Sequence, residues 1–508
     1  GLIYGTAPAP LYNSKIHYTT EFSNGSAVHI AESETVKATT VTVVDAAMPV
    51  EINEISLKNL KKEKQQIKIL LYFEPVLNRF VNDISHPAFS NLFIESFYEK
   101  ETGIIYFRRR PRRMEDKIYW CAVGVSGDFT DFVFETFKGE IVNRLEKTEN
   151  IDLLFDRSFT KSVGAAIEPV LAVKLSLSVD DELKKLRFLI SAGFSREECR
   201  NSIEIARRER IENIQGYTKS RKILYKIEND EEALLSRILP LLFFGRSEYY
   251  EEVEKNIKGQ SGLWKYGVSG DNPIISLFIK DAEDIKKSYK YLHIHRYLAH
   301  RGINFDLLFV FEEGGDYQRP LYTSIKDAIK EESVINYLGV FGGIHLVNLP
   351  KNEQIDKNLI ITASVWVDDL SVKTTEVKEN ANLQQYVKRE IINLLINPVK
   401  GKTVDISDGK VMINQNGVKH RPYCNIISNR SFGTVVSDRA MNYTFYQNAR
   451  EFKLSEWTND IFAEAGEYII LTIDGKEYDL LAISNSCEFE RESATYFINT
   501  DDFSGNVK

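Results

Sequence analysis

The most distinctive stretch of the chain is a glycine-rich run whose residue types are suited to binding a ligand. Residues 259–273 read Gly-Gln-Ser-Gly-Leu-Trp-Lys-Tyr-Gly-Val-Ser-Gly-Asp-Asn-Pro, so four glycines surround Trp264, Tyr266 and Asp271. Because glycine permits positive φ and close backbone approach, the run predicts a tightly folded loop rather than a helix or an ordinary strand. Two roles fit it: a ligand loop, or a structural clasp between domains. Asp271 is expected to organise the loop by accepting backbone N–H groups or bonding Ser269.

Other acidic and imidazole side chains give weaker signals of chemistry. Glu312 and Glu313 follow the apolar run 305–311, and α/β folds place ligands at the carboxyl ends of parallel strands. No paired base or phosphate loop lies nearby in the sequence, so exposed loop carboxylates are the favoured interpretation and a ligand site is the alternative. Three histidines share one predicted helix, but their spacing does not predict a metal site. They are His293, His295 and His300.

A basic cluster interrupts an otherwise acidic chain. Arg108–Arg113 holds five arginines and follows the apolar residues 104–107. The favoured interpretation is the end of a strand and the start of a solvated loop. Contact with phosphate or with a partner chain is the alternative.

Composition excludes several classes of protein. The 508 residues carry a formal net charge of −8 and 43% hydrophobic residues, which indicates a globular chain of two to four domains without a general surface for nucleic acid or anionic membranes. Its four cysteines are far apart, which disfavours a zinc ribbon or a disulfide scaffold and favours a reduced, cytoplasmic setting. No run of about 18 apolar residues occurs. The chain begins without Met, which is consistent with a processed or excised piece.

The elements that position these residues change along the chain. Residues 15–190 alternate apolar and polar side chains, which predicts many short antiparallel strands and a β-sandwich. Ser195 and Glu198 have the spacing of a capping box, and helices are predicted over 197–213 and 231–244. The runs 274–279 and 305–311 flank a helix over 281–299 and predict a β-α-β unit with parallel strands. Residues 322–337 are predicted to be helical, and 344–349 and 359–367 to be extended.

The predicted fold class is α+β and predominantly β, in five regions. Residues 1–192 form a β-sandwich, 193–272 a helical linker with the glycine-rich loop, 273–370 a small α/β domain, 371–402 a linker helix, and 403–508 part of a second β-sandwich. The alternative is that 403–508 completes the first sandwich in a permuted order.

The glycine-rich run resembles the Gly-Gln-Ser-Gly-Leu-Trp-x-Tyr-Gly-x-Ser-Gly-Asp-x-Pro signature of glycoside hydrolase family 94, which includes 1,2-β-oligoglucan phosphorylases and cyclic β-1,2-glucan synthases. Residues 425–433, 448–451 and 457–460 resemble three further elements of that family, which lie in the sandwich before its catalytic barrel. Residues 400–410 depart from a glycine-rich element of the family and keep only its Asp408–Gly409 turn. The matching signature positions are Gly259, Gln260, Gly262, Trp264, Tyr266, Gly267, Gly270 and Asp271.

The resemblance implies inverting, phosphate-dependent cleavage of β-1,2-glucan to α-glucose 1-phosphate, or a chain-length role in the synthase branch. In the family the catalytic groups lie on an (α/α)6 barrel, and too few helices are predicted here to form one. The resemblance therefore implies the non-catalytic amino-terminal part of a β-1,2-glucan phosphorylase, which supports an active site on a missing segment or a partner chain. The alternative is an independent carbohydrate-binding or assembly subunit.

The resemblance also implies where the substrate is contacted. Loops of the family's sandwich approach the barrel mouth, so Arg450, Trp457, Asn459 and Asp460 are candidates for glucan contact, with packing or turn roles as the alternative. No catalytic residue, metal or cofactor is expected in this chain; inorganic phosphate is the co-substrate of the complete enzyme. The expected partners are a β-1,2-glucan oligosaccharide and a barrel domain or chain, not nucleic acid or membrane. A homodimer and a hetero-oligomer both stay open.

Overall fold

The chain folds into two compact units, residues 1–215 with 381–508 and residues 216–380. The computed structural model describes residues 2–8, 13–23, 25–45, 47–85, 87–111, 113–141, 155, 157–165, 168–214, 229–244, 251–314, 319–349, 353–367, 404–414, 423–438, 442–456 and 466–508. The linker helix predicted over 371–402 lies outside these residues.

The amino-terminal part of the first unit is built on two antiparallel sheets. The larger has the strand order β1-β2-β3-β4-β11-β8-β7-β6, and the smaller has the order β5-β10-β9. The strands are β1 (His17–Ser23), β2 (Ser26–Glu32), β3 (Val36–Val44), β4 (Val50–Asn59), β5 (Gln65–Phe73), β6 (Ile94–Glu99), β7 (Ile104–Arg109), β8 (Trp120–Gly127), β9 (Asp131–Phe137), β10 (Pro169–Val179) and β11 (Lys184–Gly193). Short helices α1 (Phe80–Ser85), α2 (Pro87–Asn91) and α3 (Lys138–Ile141) lie between them.

The larger sheet is buried on both faces. One face packs on the smaller sheet through a shared apolar core that includes Phe107, Phe134 and Val173. The other face packs on helix α4 (Arg196–Ala206) through Cys199 and Ile203. These contacts confirm the predicted sandwich and explain why β7 is apolar along most of its length.

Helix α4 begins as its sequence predicts. Ser195 Oγ accepts the N–H of Glu198 at 3.1 Å, and Glu198 Oε2 accepts the N–H of Phe194 at 2.9 Å. The helix lies so close to β8 that a Cβ at Gly124 would stand 2.6 Å from Ile203 Cγ2.

The second unit has a four-stranded parallel sheet between two layers of helices. Its strands, in the order β14-β13-β12-β15, are β12 (Ile274–Ile279), β13 (Asp306–Phe311), β14 (Ile344–Asn348) and β15 (Val365–Val367). The helices are α5 (Asn229–Phe244), α6 (Glu251–Glu254), α7 (Ala282–Ala299), α8 (Pro320–Glu331) and α9 (Gln354–Ala363). The parallel pairing of β12 with β13 confirms the predicted β-α-β unit.

Two apolar cores cover the faces of this sheet. Helices α5, α7 and α8 pack on one face, and α9 with the segment 263–268 packs on the other. The prediction of an extended segment over 359–367 is wrong up to residue 363, because Leu359 and Ile360 belong to α9 and pack on the sheet as a helix. A short apolar run alone does not separate a buried strand from a buried helix.

The carboxyl-terminal part of the first unit is antiparallel throughout. The hairpin of β16 (Val404–Ser407) and β17 (Lys410–Asn414) turns at Asp408 and Gly409, whose φ angles are 50° and 76°. Together with β23 (Ser486–Phe489), β24 (Ala494–Asn499) and β25 (Ser504–Val507) it forms a five-stranded sheet. Smaller sheets are formed by β18 (Cys424–Ser428), β19 (Phe432–Ser437) and β20 (Tyr443–Tyr446), and by β21 (Ile470–Ile473) and β22 (Lys476–Asp479).

The structure confirms the predicted fold class, with strands dominating and several antiparallel sheets present. The five predicted region boundaries, and the number of sandwiches in the first unit, stay predictions. In the part of the chain that the structure describes, no helix combines the length and the apolar character needed to cross a membrane.

An ion cluster ties three helices of the second unit together. His293 on α7 places Nδ1 2.5 Å from Glu231 of α5, and its Nε2 contacts Glu332, the residue that ends α8. The hydrogen bond with Glu231 and the nearby charge of Glu332 hold the pKa of His293 above its ordinary value. The histidine is therefore an ion-pair bridge between helices.

We predict that this bridge makes the second unit less stable as the pH rises. Because the pKa of His293 is higher folded than unfolded, its contribution is complete below the unfolded pKa, about 6.5, and disappears as the pH rises through the folded pKa. The advantage of the unsubstituted protein over His293→Gln should therefore shrink as the pH rises above about 6.5. Hydrogen exchange of the α7 amides measures it, with His300→Gln as the control on the same helix. A constant advantage as the pH rises would contradict the prediction.

Candidate functional site

The glycine-rich run folds as a 3₁₀ helix, Gln260–Tyr266, followed by a tight turn. The prediction that this segment is not helical is therefore wrong. Gly267 closes the helix with a φ of 76°, and its N–H is donated to the carbonyl of Trp264 at 2.9 Å. At Gly262 a Cβ would stand 2.7 Å from Leu359 Cδ2, so this glycine lets the 3₁₀ helix pack closely on α9.

A buried carboxylate on α9 holds the 3₁₀ helix in place. Asp356 is only 1% exposed. Tyr266 donates its hydroxyl to Asp356 Oδ2 at 2.8 Å, and the ammonium groups of Lys258 and Lys265 also bind this carboxylate. Lys265 in addition lies 3.3 Å from Glu353. Two cations and a hydroxyl, all from the run or its flank, thus converge on one acid about 90 residues away in the sequence.

These contacts fix the protonation states. Burial opposes the ionisation of Asp356, but hydrogen bonds from its neighbours outweigh burial and hold its pKa well below the ordinary range. The hydrogen bond to Asp356 raises the pKa of Lys265, while burial and the same carboxylate raise the pKa of Tyr266 to about 12. A carboxyl with so low a pKa is a poor proton donor at neutral pH. The cluster is therefore suited to holding structure and not to acid catalysis.

The turn after the 3₁₀ helix is organised by its own side chains. Gln260 Nε2 donates to Asp271 Oδ1 and to the carbonyl of Ser269, both at 3.0 Å, and the N–H of Asp271 is donated to Ser269 Oγ at 3.2 Å. Trp264 Nε1 also donates to Ser269 O, at 3.3 Å, yet the side chain is 64% exposed. Asp271 thus contacts Ser269, one of its predicted partners, and also Gln260.

Taken together, the run is a clasp within the second unit. Leu263 and Val268 bury their side chains in the core that α9 shares with the sheet. Sequence reasoning missed Asp356, because no local pattern marks it. Its cationic partners Lys258 and Lys265 are exposed lysines, a common residue type at the surface, so they gave no signal either.

The predicted glucan contacts are only partly described. Trp457, Asn459 and Asp460 lie outside the described residues. Arg450 is exposed in the turn after β20, where Asn448 Oδ1 accepts the N–H groups of Arg450 and Glu451 at 2.8 and 3.2 Å. The guanidinium of Arg450 therefore extends from a turn fixed by Asn448.

The other predicted candidates have structural partners. Glu313 accepts the N–H groups of Leu321 and Tyr322 at the start of α8, at 2.5 and 3.2 Å. His295 is buried with Nε2 3.1 Å from Gly342 O and 3.2 Å from Phe305 O. Among the described residues no group of three or more His, Cys, Asp or Glu side chains is arranged to hold a metal ion.

We predict that the carboxylate of Asp356 is a main determinant of stability in the second unit. Asp356→Asn removes the counter-charge of Lys258 and leaves Lys265 with Glu353 alone, and it should lower the free energy of unfolding by roughly 3 kcal/mol. Because the folded pKa of Asp356 is depressed, its contribution is present above the unfolded pKa and is lost as the pH falls through the folded one. Denaturation in urea measures the change, followed by the fluorescence of the chain's four tryptophans, of which Trp264 and Trp366 lie in the second unit.

Asp271→Asn is the matched control, since Asp271 is an exposed aspartate of the glycine-rich segment. It should cost less than about 1 kcal/mol. Equal small losses in both variants would show that the Asp356 cluster is not what holds the 3₁₀ helix.

Two comparisons with known proteins match long stretches of the chain. The family model of the glycosyl hydrolase 94 supersandwich domain matches residues 1–209 and 409–487, together more than half of the chain. A cyclic β-(1,2)-glucan synthase, NdvB, of Rhizobium meliloti (strain 1021) is 25% identical in an alignment of 461 positions, which covers 82% of this chain and 16% of that protein. The chain thus spans less than a fifth of the length of this curated relative.

Solved structures are less similar. A bacterial glucoamylase complexed with acarbose is 12% identical with a TM-score of 0.31, over 47% of this chain and 32% of that one. A family 36 α-galactosidase from Geobacillus stearothermophilus is 8% identical with a TM-score of 0.18, over 64% and 43%. Scores this low do not bear on the fold. On the match to its supersandwich domain, the chain belongs to glycosyl hydrolase family 94.

Proposed function

We propose that this chain is a non-catalytic, β-sandwich-rich part of a β-1,2-glucan phosphorylase. The complete enzyme cleaves 1,2-β-oligoglucan by inverting phosphorolysis and releases α-glucose 1-phosphate. This chain supports an active site carried by an (α/α)6 barrel on a further segment or on a partner chain. The family membership and the name of the glucan synthase relative support the substrate class.

One observation supports the non-catalytic role above all. An inverting enzyme needs a carboxylic acid that is protonated near neutral pH, because this acid donates its proton to the leaving oxygen. Among the described carboxyl groups, every shifted pKa is lower than the ordinary value, because the carboxylate accepts hydrogen bonds or faces cations. The groups with a lowered pKa are Glu32, Glu54, Glu99, Asp180, Asp356, Glu490 and Asp502. The pattern favours an acid that lies elsewhere.

The proposal assigns a role to four residues of the first unit. Arg450, Trp457, Asn459 and Asp460 contact the glucan at the barrel mouth, with inorganic phosphate as co-substrate and no other cofactor. The exposed position of Arg450 is compatible with this role. The reaction takes place in the cytoplasm, away from membranes and nucleic acid.

A second function, from a different class, is an independent carbohydrate-binding or assembly subunit. It is favoured by the predominance of β-sandwich structure, because such a unit presents loops to a ligand without needing a barrel. The two functions differ in what the chain does alone. A binding subunit retains glucan by itself, whereas a scaffold needs its barrel.

We predict no phosphorolysis by the chain alone and restored phosphorolysis with a barrel-bearing chain. The assay measures release of α-glucose 1-phosphate from sophorose-type oligosaccharides and phosphate. In the restored enzyme, Trp457→Ala should raise KM for the glucan about fivefold, because a lost aromatic contact weakens sugar binding. Trp264→Ala, which removes an exposed tryptophan from the second unit, is the control and should leave KM unchanged. Turnover by the isolated chain would refute the scaffold role, and tight glucan binding without any barrel would favour the second function.

A further inference from the structure

The first unit contains a groove that the proposed function does not use. Its volume is about 1140 Å³, and the residues that line it come mainly from the segments 77–82, 109–111, 113–120 and 192–198. This volume is at the upper end for small-molecule sites, so a mono- or disaccharide fits inside it. The groove also lies beside the basic cluster Arg108–Arg113, for which the sequence left open a contact with phosphate.

Two aromatic rings stand side by side in the groove. Tyr119 and Phe194 are 43% and 56% exposed, with ring centroids 5.6 Å apart and planes 51° apart. A pair of aromatic rings that lines a concave site can contact a ligand with an apolar face. The C–H face of a sugar ring is such a partner, and its hydroxyls then point to the polar rim, where Asn78 and Asn82 lie.

The groove is positively charged although the whole chain carries a net charge of −8. Five cationic side chains line it, namely Arg79, Arg109, Arg110, Arg113 and Lys117, against the carboxylates of Glu115, Asp116 and Glu198. Two of these carboxylates already bind backbone groups: Asp116 Oδ2 accepts the N–H of Arg113 at 2.9 Å, and Glu198 accepts that of Phe194. Glu95, outside the groove, pairs with Arg110 at 3.5 Å; even with this carboxylate included, cations outnumber carboxylates by five to four, which matches an anionic ligand.

The wall of the groove is held by buried contacts. Arg109 is 8% exposed, donates to the carbonyl and the hydroxyl of Ser90 at 3.1 Å, and stacks on Phe93 with its guanidinium carbon 5.5 Å from the ring centre. Arg110 donates to the carbonyl of Leu92 at 2.6 Å. Leu77 also lines the groove and has a φ of 47°. This left-handed conformation is strained for any residue other than glycine, and such strained residues are often found at binding sites. The groove is therefore built into the sandwich.

Within the groove, a cation and the aromatic rings are close enough to bind one ligand together. Lys117 Nζ lies 5.0 Å from the centre of the Phe194 ring, and Arg113 is exposed on the same loop. A neutral glucan would use the rings but not the excess of cations. Free phosphate would use the cations but not the rings. A sugar that carries a phosphate uses both.

We propose that this groove binds a phosphorylated sugar, with its ring on Tyr119 and Phe194 and its phosphate on Arg113 and Lys117. The groove itself is inferred from the sandwich alone. Only the choice of α-D-glucose 1-phosphate as the probe rests on the proposed function.

The test is titration calorimetry on the full chain with three separate probes: α-D-glucose 1-phosphate, inorganic phosphate and a neutral β-1,2-linked trisaccharide. Phe194→Ala removes the exposed ring and Arg113→Gln removes the exposed cation. Phe22→Ala and Arg491→Gln are the matched controls, since both residues are exposed in the same unit and far from the groove in sequence. Circular dichroism checks that all four variants remain folded.

Each groove variant should weaken the binding of glucose 1-phosphate about tenfold, and the controls should not, because charge-assisted hydrogen bonds and ring contacts each contribute on that scale. Binding of inorganic phosphate should be weaker and sensitive to Arg113→Gln only. Absence of binding, or binding that neither groove variant changes, would overturn the proposal. So would tighter binding of the neutral trisaccharide that Arg113→Gln leaves unaltered. None of these results depends on phosphorolysis, so failure of the groove and failure of the scaffold role are distinguishable.

Discussion

The second unit depends on a single buried carboxylate. Asp356 lies on α9 beneath the glycine-rich segment, and its charge is tolerable there only because two ammonium groups and a tyrosine hydroxyl surround it. Its partners come from residues 258–266, so the position of α9 and the fold of the glycine-rich segment determine each other. The glycines of that segment serve close packing: Gly262 makes room for Leu359, and Gly267 ends the 3₁₀ helix.

Where a pattern is local, the sequence predicted the structure well. The alternation of Ile67, Ile69, Leu71 and Phe73 assigned these side chains to one face of β5, and that face packs on the sandwich core. Ser195 and Glu198 marked the start of α4, and Asp408–Gly409 marked a hairpin, because caps and tight turns are determined by neighbouring residues. The β-α-β unit followed from two apolar runs that only a sheet covered on both faces can bury.

Where structure depends on distant residues, the sequence was insufficient. The run 359–363 has the apolar character of a strand, and only its packing on the sheet beside the 3₁₀ helix makes it the end of a helix. The 3₁₀ helix itself was missed, since its stability comes from Asp356 about 90 residues away. No local rule predicts how the basic cluster is divided: Arg108 and Arg109 belong to β7 and have partners inside the sandwich, while Arg109, Arg110 and Arg113 line the groove.

The distribution of charge links these observations. In the second unit, cations are used to hold a carboxylate ionised, which excludes Asp356 from proton donation and leaves it a structural role. In the first unit, cations beside the groove outnumber the carboxylates, and two of the carboxylates are occupied by backbone donors. Lys258 and Lys265 have the carboxylate of Asp356 as their partner. Arg113 and Lys117 instead line a groove that also contains exposed aromatic rings. A chain with a net charge of −8 gains nothing in solubility from concentrating cations there, so their placement is better explained by an anionic ligand than by the surface as a whole.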